Sequence, residues 1–309
     1  MSRYRGRFAP SPTGRVHLGT ARSALLAWLR ARSVGGAFVV RIEDLDAPRV
    51  VPGAAEAMLA DLRWLGLDWD EGPDVGGPFG PYVQSQRLER YDAAVRELAA
   101  RAHTYPCTCS RKEIASIASA PHDDEGPIYP GTCRNGPAHP DREPAIRFRM
   151  PEPPPSFVDG FSGPSPPGLG RGDFVIRRKD GVFAYQLACV VDDAHMEITE
   201  VVRGDDLLAS TPRQIALYRA LDLPVPRFFH VPLVLGPDGR RLAKRHGAIS
   251  IAELRARGLS PEAIVGRLAH GAGLTDDDRP IAARELVARF DPARLSRAPA
   301  IVEAWTAEP

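Results

Sequence analysis

The chain has 309 residues, with 40 Lys and Arg against 39 Asp and Glu, a net charge of +1 and 43% hydrophobic residues. That length suffices for two or three domains with ordinary cores, and the near-zero charge excludes a uniformly basic nucleic-acid coat, so any RNA contact must use local patches. No apolar stretch reaches the roughly 18 residues a membrane span needs, and the N-terminus has no signal-peptide pattern, which predicts a soluble, cytoplasmic protein with no membrane partner.

Phe8 ends a short extended start, Pro10 and Pro12 forbid helix and central strand, and Gly14 permits a tight turn. Leu18, Ala21, Leu25, Trp28 and Leu29 then recur at helical spacing until Gly35-Gly36, and Ala37 to Ile42 reads as a buried strand. This is the opening βαβ unit of a parallel sheet. In such a unit the strand end and the helix N-terminus face the ligand crevice, where free N–H groups favour an anion. His17 could bond a phosphate there, and Gly19 removes the side chain that would keep a nucleotide base off the helix; the bland alternative is a surface His and a turn Gly. Pro52 begins a helical run with Met58, Leu62 and Leu65 on one face. Asp70 to Pro81 is a Gly- and Pro-rich loop expected to border the site, and Leu88, Tyr91, Val95 and Leu98 mark another amphipathic helix.

From about Ala102 the pattern changes, and 13 of the 31 prolines lie between Pro121 and Pro167. Such a segment needs support other than a regular sheet or long helix. Cys107-x-Cys109 and, 24 residues later, Cys133 supply three thiolate candidates for zinc, with His122, Asp123, His139 or a water open as the fourth ligand; the alternative is three reduced cysteines. Asp173 to Arg178, the Lys179-Asp180-Gly181 turn and Val182 to Val191 read as a hairpin. Glu197 to Val202 returns to the sheet, Ser210-Thr211-Pro212 caps a helix carrying Ile215, Tyr218 and Leu221, and 228–235 is a strand. A basic loop follows, Gly239 to Ala248. The chain has only three lysines, Lys112, Lys179 and Lys244, so Lys244 between Arg241 and Arg245 suggests a compact ammonium for a point contact to phosphate. Helical patterns at 251–257, 261–270 and 283–290 close the chain, and no internal repeat is present.

His17-Leu18-Gly19-Thr20 and Arg241-Leu242-Ala243-Lys244-Arg245 together resemble the two ATP signatures of class I aminoacyl-tRNA synthetases. Arg7 to Thr13, Arg41-Ile42-Glu43-Asp44, Val202-Arg203-Gly204-Asp205-Asp206 and Arg245-His246-Gly247-Ala248 resemble the glutamate-specific branch, so the resemblance covers about residues 3 to 250. Within that branch, Phe183-Ala184-Tyr185-Gln186-Leu187-Ala188 and the Cys-x-Cys, Tyr-x₃-Cys arrangement are similar to the glutamyl-queuosine enzymes. Ordinary glutamyl-tRNA synthetases show Tyr-His-Phe-Ala-Asn, and Cys189 falls on that Asn, which marks it as pocket lining or core rather than a metal ligand.

The resemblance implies an α/β fold: a Rossmann-like doubly wound parallel sheet in two halves, 1–101 and 186–250, a zinc-stabilised insertion at 102–185, and a small helical C-terminal appendage at 251–309 without an anticodon-binding domain. It implies ATP as substrate with Mg²⁺, one Zn²⁺ per chain, L-glutamate, and the anticodon stem-loop of tRNA(Asp), in a monomer. Residues carried over are His17, Gly19 and Lys244 for catalysis, and His17, Gly19, Thr20, Arg241, Leu242, Ala243, Lys244 and Arg245 for ATP. Glutamate would meet Arg7, Phe8, Ala9, Pro10, Ser11, Glu43, Tyr185 and Arg203, and zinc Cys107, Cys109, Tyr129 and Cys133. The implied reaction is tRNA-independent formation of glutamyl-adenylate, then transfer to the queuosine base. Two other readings stand beside it: a truncated glutamyl-tRNA synthetase charging the 3′ end, favoured by Arg245-His246-Gly247-Ala248, and a non-catalytic RNA-binding zinc module. Intact His17, Gly19, Lys244, Glu43 and Arg203 argue against the last, and Ala243 stands where the motif usually has Ser.

Overall fold

A computed structural model describes residues 4–110, 112–114, 128–236 and 249–301. Strands β1 (Arg5–Phe8) and β2 (Ala37–Val40) pair in parallel, Arg7 opposite Val39, and α1 (Leu18–Ser33) crosses between them. The crossover stops where expected, because Gly35 sits at φ +61°, a left-handed conformation costly for other residues. Leu18, Leu25, Leu26 and Leu29 of α1 are at most 1% exposed, and each such leucine contributes about 1.5–3 kcal/mol by leaving water. Helices α2 (Ala54–Trp64) and α3 (Leu88–Ala100) follow as read from the periodicity.

Within the proline-rich stretch, β3 (Thr104–Cys107), β4 (Ala145–Phe148) and, beyond the small hairpin β5 (Val158–Asp159) and β6 (Gly163–Pro164), β7 (Phe174–Arg177) appear. β3, β4 and β7 form an antiparallel sheet in that order. The hairpin expected at 173–191 is a stub: Arg178 N–H donates to Val182 O at 2.8 Å, and the chain then becomes α4 (Tyr185–His195). Leu187 to Val191 is a continuous apolar run that fits helix or strand alike, and in the helix Asp192 and Asp193, at most 1% exposed, share the buried face with Leu187, Ala188 and Val190.

β8 (Glu200–Gly204), α5 (Thr211–Ala220) and β9 (Arg227–Val231) make a second parallel unit, with Arg203 opposite His230. The two units abut, since Thr199 N–H donates to Arg5 O at 2.9 Å. Ser210 does not cap α5 with its side chain; its hydroxyl accepts from Gln186 Nε2 instead. The expected strand at 228–235 breaks at Pro232-Leu233 before β10 (Val234–Leu235), where both carbonyls accept from Arg22 Nη1 at 3.3 Å. Helices α6 (Ile251–Ala256), α7 (Pro261–Gly271) and α8 (Ala283–Val287) precede β11 (Ala300–Ile301), which pairs in parallel with β10. Ile251, Leu254, Ile264, Leu268 and Leu286 lie in the same apolar cluster as α1, while α3, α4 and α5 build a second cluster.

Candidate active site

A cavity of about 690 Å³ opens at the C-terminal ends of β1 and β8 and at the N-terminus of α1. Its wall brings together Arg7, Phe8, Ala9, Pro10 and Ser11 after β1, His17, Gly19 and Thr20 at α1, Glu43 after β2, Tyr185 of α4 and Arg203 of β8. The loop at 70–81 contributes nothing to this wall, contrary to expectation: Glu71 turns inward to pair with Arg5 at 2.8 Å and to accept from Tyr82 at 2.6 Å. Arg241, Leu242, Ala243, Lys244 and Arg245 lie outside the described residues, as do His122 and Asp123.

His17 occupies the N-cap of α1 in extended conformation; Thr20 N–H donates to its Nδ1 at 3.3 Å and its Nε2 lies 3.0 Å from Thr20 Oγ1. The first turn of α1 holds no acidic residue, so its positive end remains available to an anion. A Cβ at Gly19 would stand 3.3 Å from the His17 ring and 3.8 Å from Val234 Cβ, so glycine keeps the gap between them open. Burial lowers the Arg22 guanidinium to about 10, against the pull of Asp205.

Arg7 and Glu43 of the wall belong to a balanced ionic cluster that continues behind it, Arg7, Arg41 and Arg87 against Glu43, Asp192 and Asp193, all under a tenth exposed. Arg41 donates to Asp193 at 2.7 Å and Glu43 at 2.9 Å, and Arg87 to Asp192 at 2.6 Å. Arg7 Nε lies 3.3 Å from Asp193, while its two terminal nitrogens make only long contacts, 3.4 Å to Val202 O and 3.9 Å to Cys189 Sγ. Burial raises the Glu43 carboxyl despite Arg41. Asp193 goes the other way: burial would raise it, but Arg7 and Arg41 together hold it below the ordinary range. Cys189 is core, 1% exposed, its thiol 3.5 Å from Asp193. Asp192, Asp193 and, behind Arg203, His230 and Asp159 escaped the reading of the sequence. Their partners lie far along the chain, and no local pattern marks them.

Cys107, Cys109 and Cys133 place their sulfurs within 4.8 Å of one another, Cys109 and Cys133 at 3.5 Å. Tyr129 Oη lies 3.3 Å from Cys107 Sγ and 3.6 Å from Cys109 Sγ. A tetrahedral zinc at about 2.3 Å from each sulfur sets sulfur–sulfur edges near 3.8 Å, so the three thiols could hold one such ion, with Tyr129 Oη beside two of them. His139 is turned away, its Nε2 2.9 Å from Glu113. Burial would raise the Cys133 thiol, but hydrogen bonds from Ala138 N–H, Tyr129 and Thr108 bring it down to about 6, toward the thiolate a metal requires. Arg147 donates to Cys107 Sγ at 3.2 Å and covers the Tyr129 ring at 3.8 Å, placing a cation against the site.

Residues 3–305 match the family described as tRNA synthetases class I (E and Q), catalytic domain. The chain is 57% identical to the glutamyl-Q tRNA(Asp) synthetase of Symbiobacterium thermophilum, covering 97% of this chain and 96% of that protein. It is 47% identical to a glutamate–tRNA ligase of Anaeromyxobacter sp. over 94% of this chain, but 62% of that protein. Among solved structures, the glutamate tRNA ligase of Elizabethkingia meningosepticum in complex with its amino acid superimposes with a TM-score of 0.85 at 30% identity, covering 98% of this chain and 68% of that one.

Proposed function

The chain belongs to the class I tRNA synthetase family of glutamate and glutamine specificity, and from that premise we propose that it activates L-glutamate with ATP and transfers it to queuosine in the anticodon of tRNA(Asp). The observation that carries the activation step is the single cavity whose wall joins two buried arginines, Arg7 and Arg203, a buried carboxylate, Glu43, and the open N-terminus of α1. A dianionic amino acid needs cationic forks, its ammonium needs an acid, and a triphosphate needs N–H donors. Arg7 and Arg203 take the glutamate carboxylates, Glu43 the α-ammonium, and Ser11 and Tyr185 the flanking hydrogen bonds. ATP lies along His17, Gly19 and Thr20, with Arg241 to Arg245 closing on the phosphates and Lys244 countering charge on the leaving group.

A glutamate carboxylate oxygen attacks the α-phosphorus, a C–O–P linkage forms and pyrophosphate departs; a ring hydroxyl of queuosine then attacks the acyl carbon and AMP leaves. No protein nucleophile is required, so rate comes from positioning and charge stabilisation. Mg²⁺ would accompany ATP and counter the charge on its phosphates. One zinc per chain, on Cys107, Cys109, Tyr129 and Cys133, closes the insertion. We read β9, β8, β1 and β2 as one doubly wound sheet, and the protein as a cytoplasmic monomer.

The choice of acceptor rests on the near end-to-end match to a relative named for queuosine tRNA(Asp). Pyrophosphate exchange with glutamate and ATP alone tests activation; exchange that appears only with tRNA favours an ordinary glutamyl-tRNA synthetase. Labelled glutamate should then enter tRNA(Asp) bearing queuosine and not the same tRNA bearing guanosine. Label recovered from the 3′-terminal adenosine would establish the second reading, for which the 47% identity to a glutamate–tRNA ligase speaks.

A further inference from the structure

Behind the cavity wall a chain of buried side chains runs from the proline-rich segment to the cationic floor. Asp159 of β5 is 2% exposed and His230 of β9 is fully buried. One Asp159 oxygen, Oδ1, accepts from the N–H groups of Phe161 and Ser162 at 2.9 Å and of His230 at 3.1 Å. The other, Oδ2, lies 2.6 Å from His230 Nδ1 and also accepts from the His230 N–H at 3.2 Å. On the far side of the ring, Arg203 Nε donates to His230 Nε2 at 3.0 Å, and Thr211 Oγ1 lies 3.1 Å from the same nitrogen. Parallel register puts Arg203 and His230 side by side, so the contact is built into the pairing of β8 and β9.

The proton positions follow from the partners. An arginine can only donate, so Nε2 must accept and the ring proton must sit on Nδ1, pointing at Asp159. Asp159 suits that duty: burial would raise its carboxyl, but His230 and the N–H groups of Ser162 and Phe161 keep it below the ordinary range. Burial and the neighbouring Arg203 cation hold His230 neutral. With Nε committed, the rest of the Arg203 fork is fixed: one terminal nitrogen meets Gln214 Oε1 at 2.8 Å and Tyr185 Oη at 3.2 Å, the other Thr211 Oγ1 at 2.8 Å and Leu207 O at 3.3 Å. Tyr185 Oη is the longest of the side-chain contacts and is on the cavity wall with Arg203.

We propose that Asp159 and His230 are positioning residues that fix the tautomer facing Arg203 and thereby hold its guanidinium so that the N–H now meeting Tyr185 Oη on the cavity wall is the one a substrate carboxylate shares or takes over. This rests on the reading of the cavity as a glutamate site. It also gives the β5–β6 hairpin, far from the sheet ends in sequence, a direct hold on amino-acid affinity.

The informative variant is Asp159→Asn. Oδ1 holds the N–H groups of Phe161 and Ser162 and shares that of His230 with Oδ2, so the new amide nitrogen takes the Oδ2 position and donates to His230 Nδ1. The ring must then carry its proton on Nε2, opposing the Arg203 Nε–H at about the present 3.0 Å. In pyrophosphate exchange the KM for glutamate should rise by about ten- to a hundredfold while that for ATP stays within about twofold, a split a general loss of structure would not give. Two-bond ¹H–¹⁵N spectra of histidine-labelled protein should show Nδ1–H for His230 in the wild type and Nε2–H in the variant, with the resonance identified by its absence from His230→Gln. If Asp159→Asn does not fold, His230→Gln and His230→Asn replace it: the Gln amide oxygen reaches the Nε2 position and can accept from Arg203, whereas Asn cannot, so Gln should keep the lower glutamate KM. A wild-type Nε2–H tautomer, an unchanged glutamate KM in folded Asp159→Asn, or equal impairment in the two His230 variants would overturn the proposal. Absence of glutamate-dependent exchange in the wild type would instead defeat the substrate reading, with the NMR tautomer still deciding the relay.

Discussion

Replacing Asp193 with Asn leaves the shape of the buried ionic cluster intact and removes one of its three negative charges. Asp193 serves both Arg41, at 2.7 Å, and Arg7, at 3.3 Å, and is 1% exposed. Three arginines, each at most 4% exposed, would then face two carboxylates. Removing one partner from a buried ion pair costs about 3–5 kcal/mol, mostly the penalty of the stranded charge. At roughly 2–4 °C per kcal/mol for a chain of this size, the midpoint of thermal unfolding should fall by on the order of 10 °C. Urea titration followed by tryptophan fluorescence measures the loss directly. The decisive test is a cycle with Arg41→Met, because the double variant restores balance at two against two. Its loss should be smaller than the sum of the single losses by about 1 kcal/mol or more. An additive cycle, or a single variant within about 0.5 kcal/mol of wild type, would refute the charge-balance argument.

Metal analysis of purified protein should give one zinc per chain; Cys133→Ser should lose it and render residues 100–150 protease-sensitive, while a zinc-free protein with an equally resistant insertion would end the structural role. Lys244→Ala should slow pyrophosphate exchange by about 2–4 kcal/mol of barrier with little change in glutamate KM, since its charge matters most as charge builds on the phosphates; an unchanged rate removes it from the mechanism. His230 supplies a pH signature. Because its folded pKa lies below the ordinary 6.5, the unfolded chain takes up a proton there first as pH falls, and stability declines from about 6.5 down to the folded value. Its neighbour Asp159, also depressed, contributes stability above the ordinary 3.8 that is lost as pH falls through its own folded pKa. Urea midpoints measured down from neutral pH should show the first decline, and His230→Gln should flatten it.

Legibility followed the range of the interactions. The first βαβ unit could be read because its signals are local: prolines that exclude helix before Gly14, apolar residues at helical spacing, glycines that end it. The cluster of three cysteines was legible because thiols in such a segment have few other uses, whereas Tyr129 was added by family resemblance rather than spacing. Helix α4 was misread because Leu187 to Val191 is a continuous apolar run, which periodicity alone assigns to neither helix nor strand. Asp159, His230 and Arg203 are separated by 71 and 27 positions, so nothing local links them. The same holds for Arg7 and Asp193, 186 positions apart.

The sharing of one apolar cluster by α1 and the C-terminal helices bears on how the protein is made. When α1 emerges from the ribosome, Leu18, Leu25 and Leu29 have only part of their final surroundings; Ile251, Leu254, Ile264 and Leu286 are still unsynthesised. At about 5–20 residues per second, the roughly 220 residues between Ser33 and Ile251 take on the order of ten to forty seconds. For that interval the first parallel unit displays a leucine-rich helix face to solvent. Newborn chains are therefore exposed to aggregation from an early stage of translation, and the chaperones that meet nascent polypeptides have a defined surface to hold until the last helices arrive.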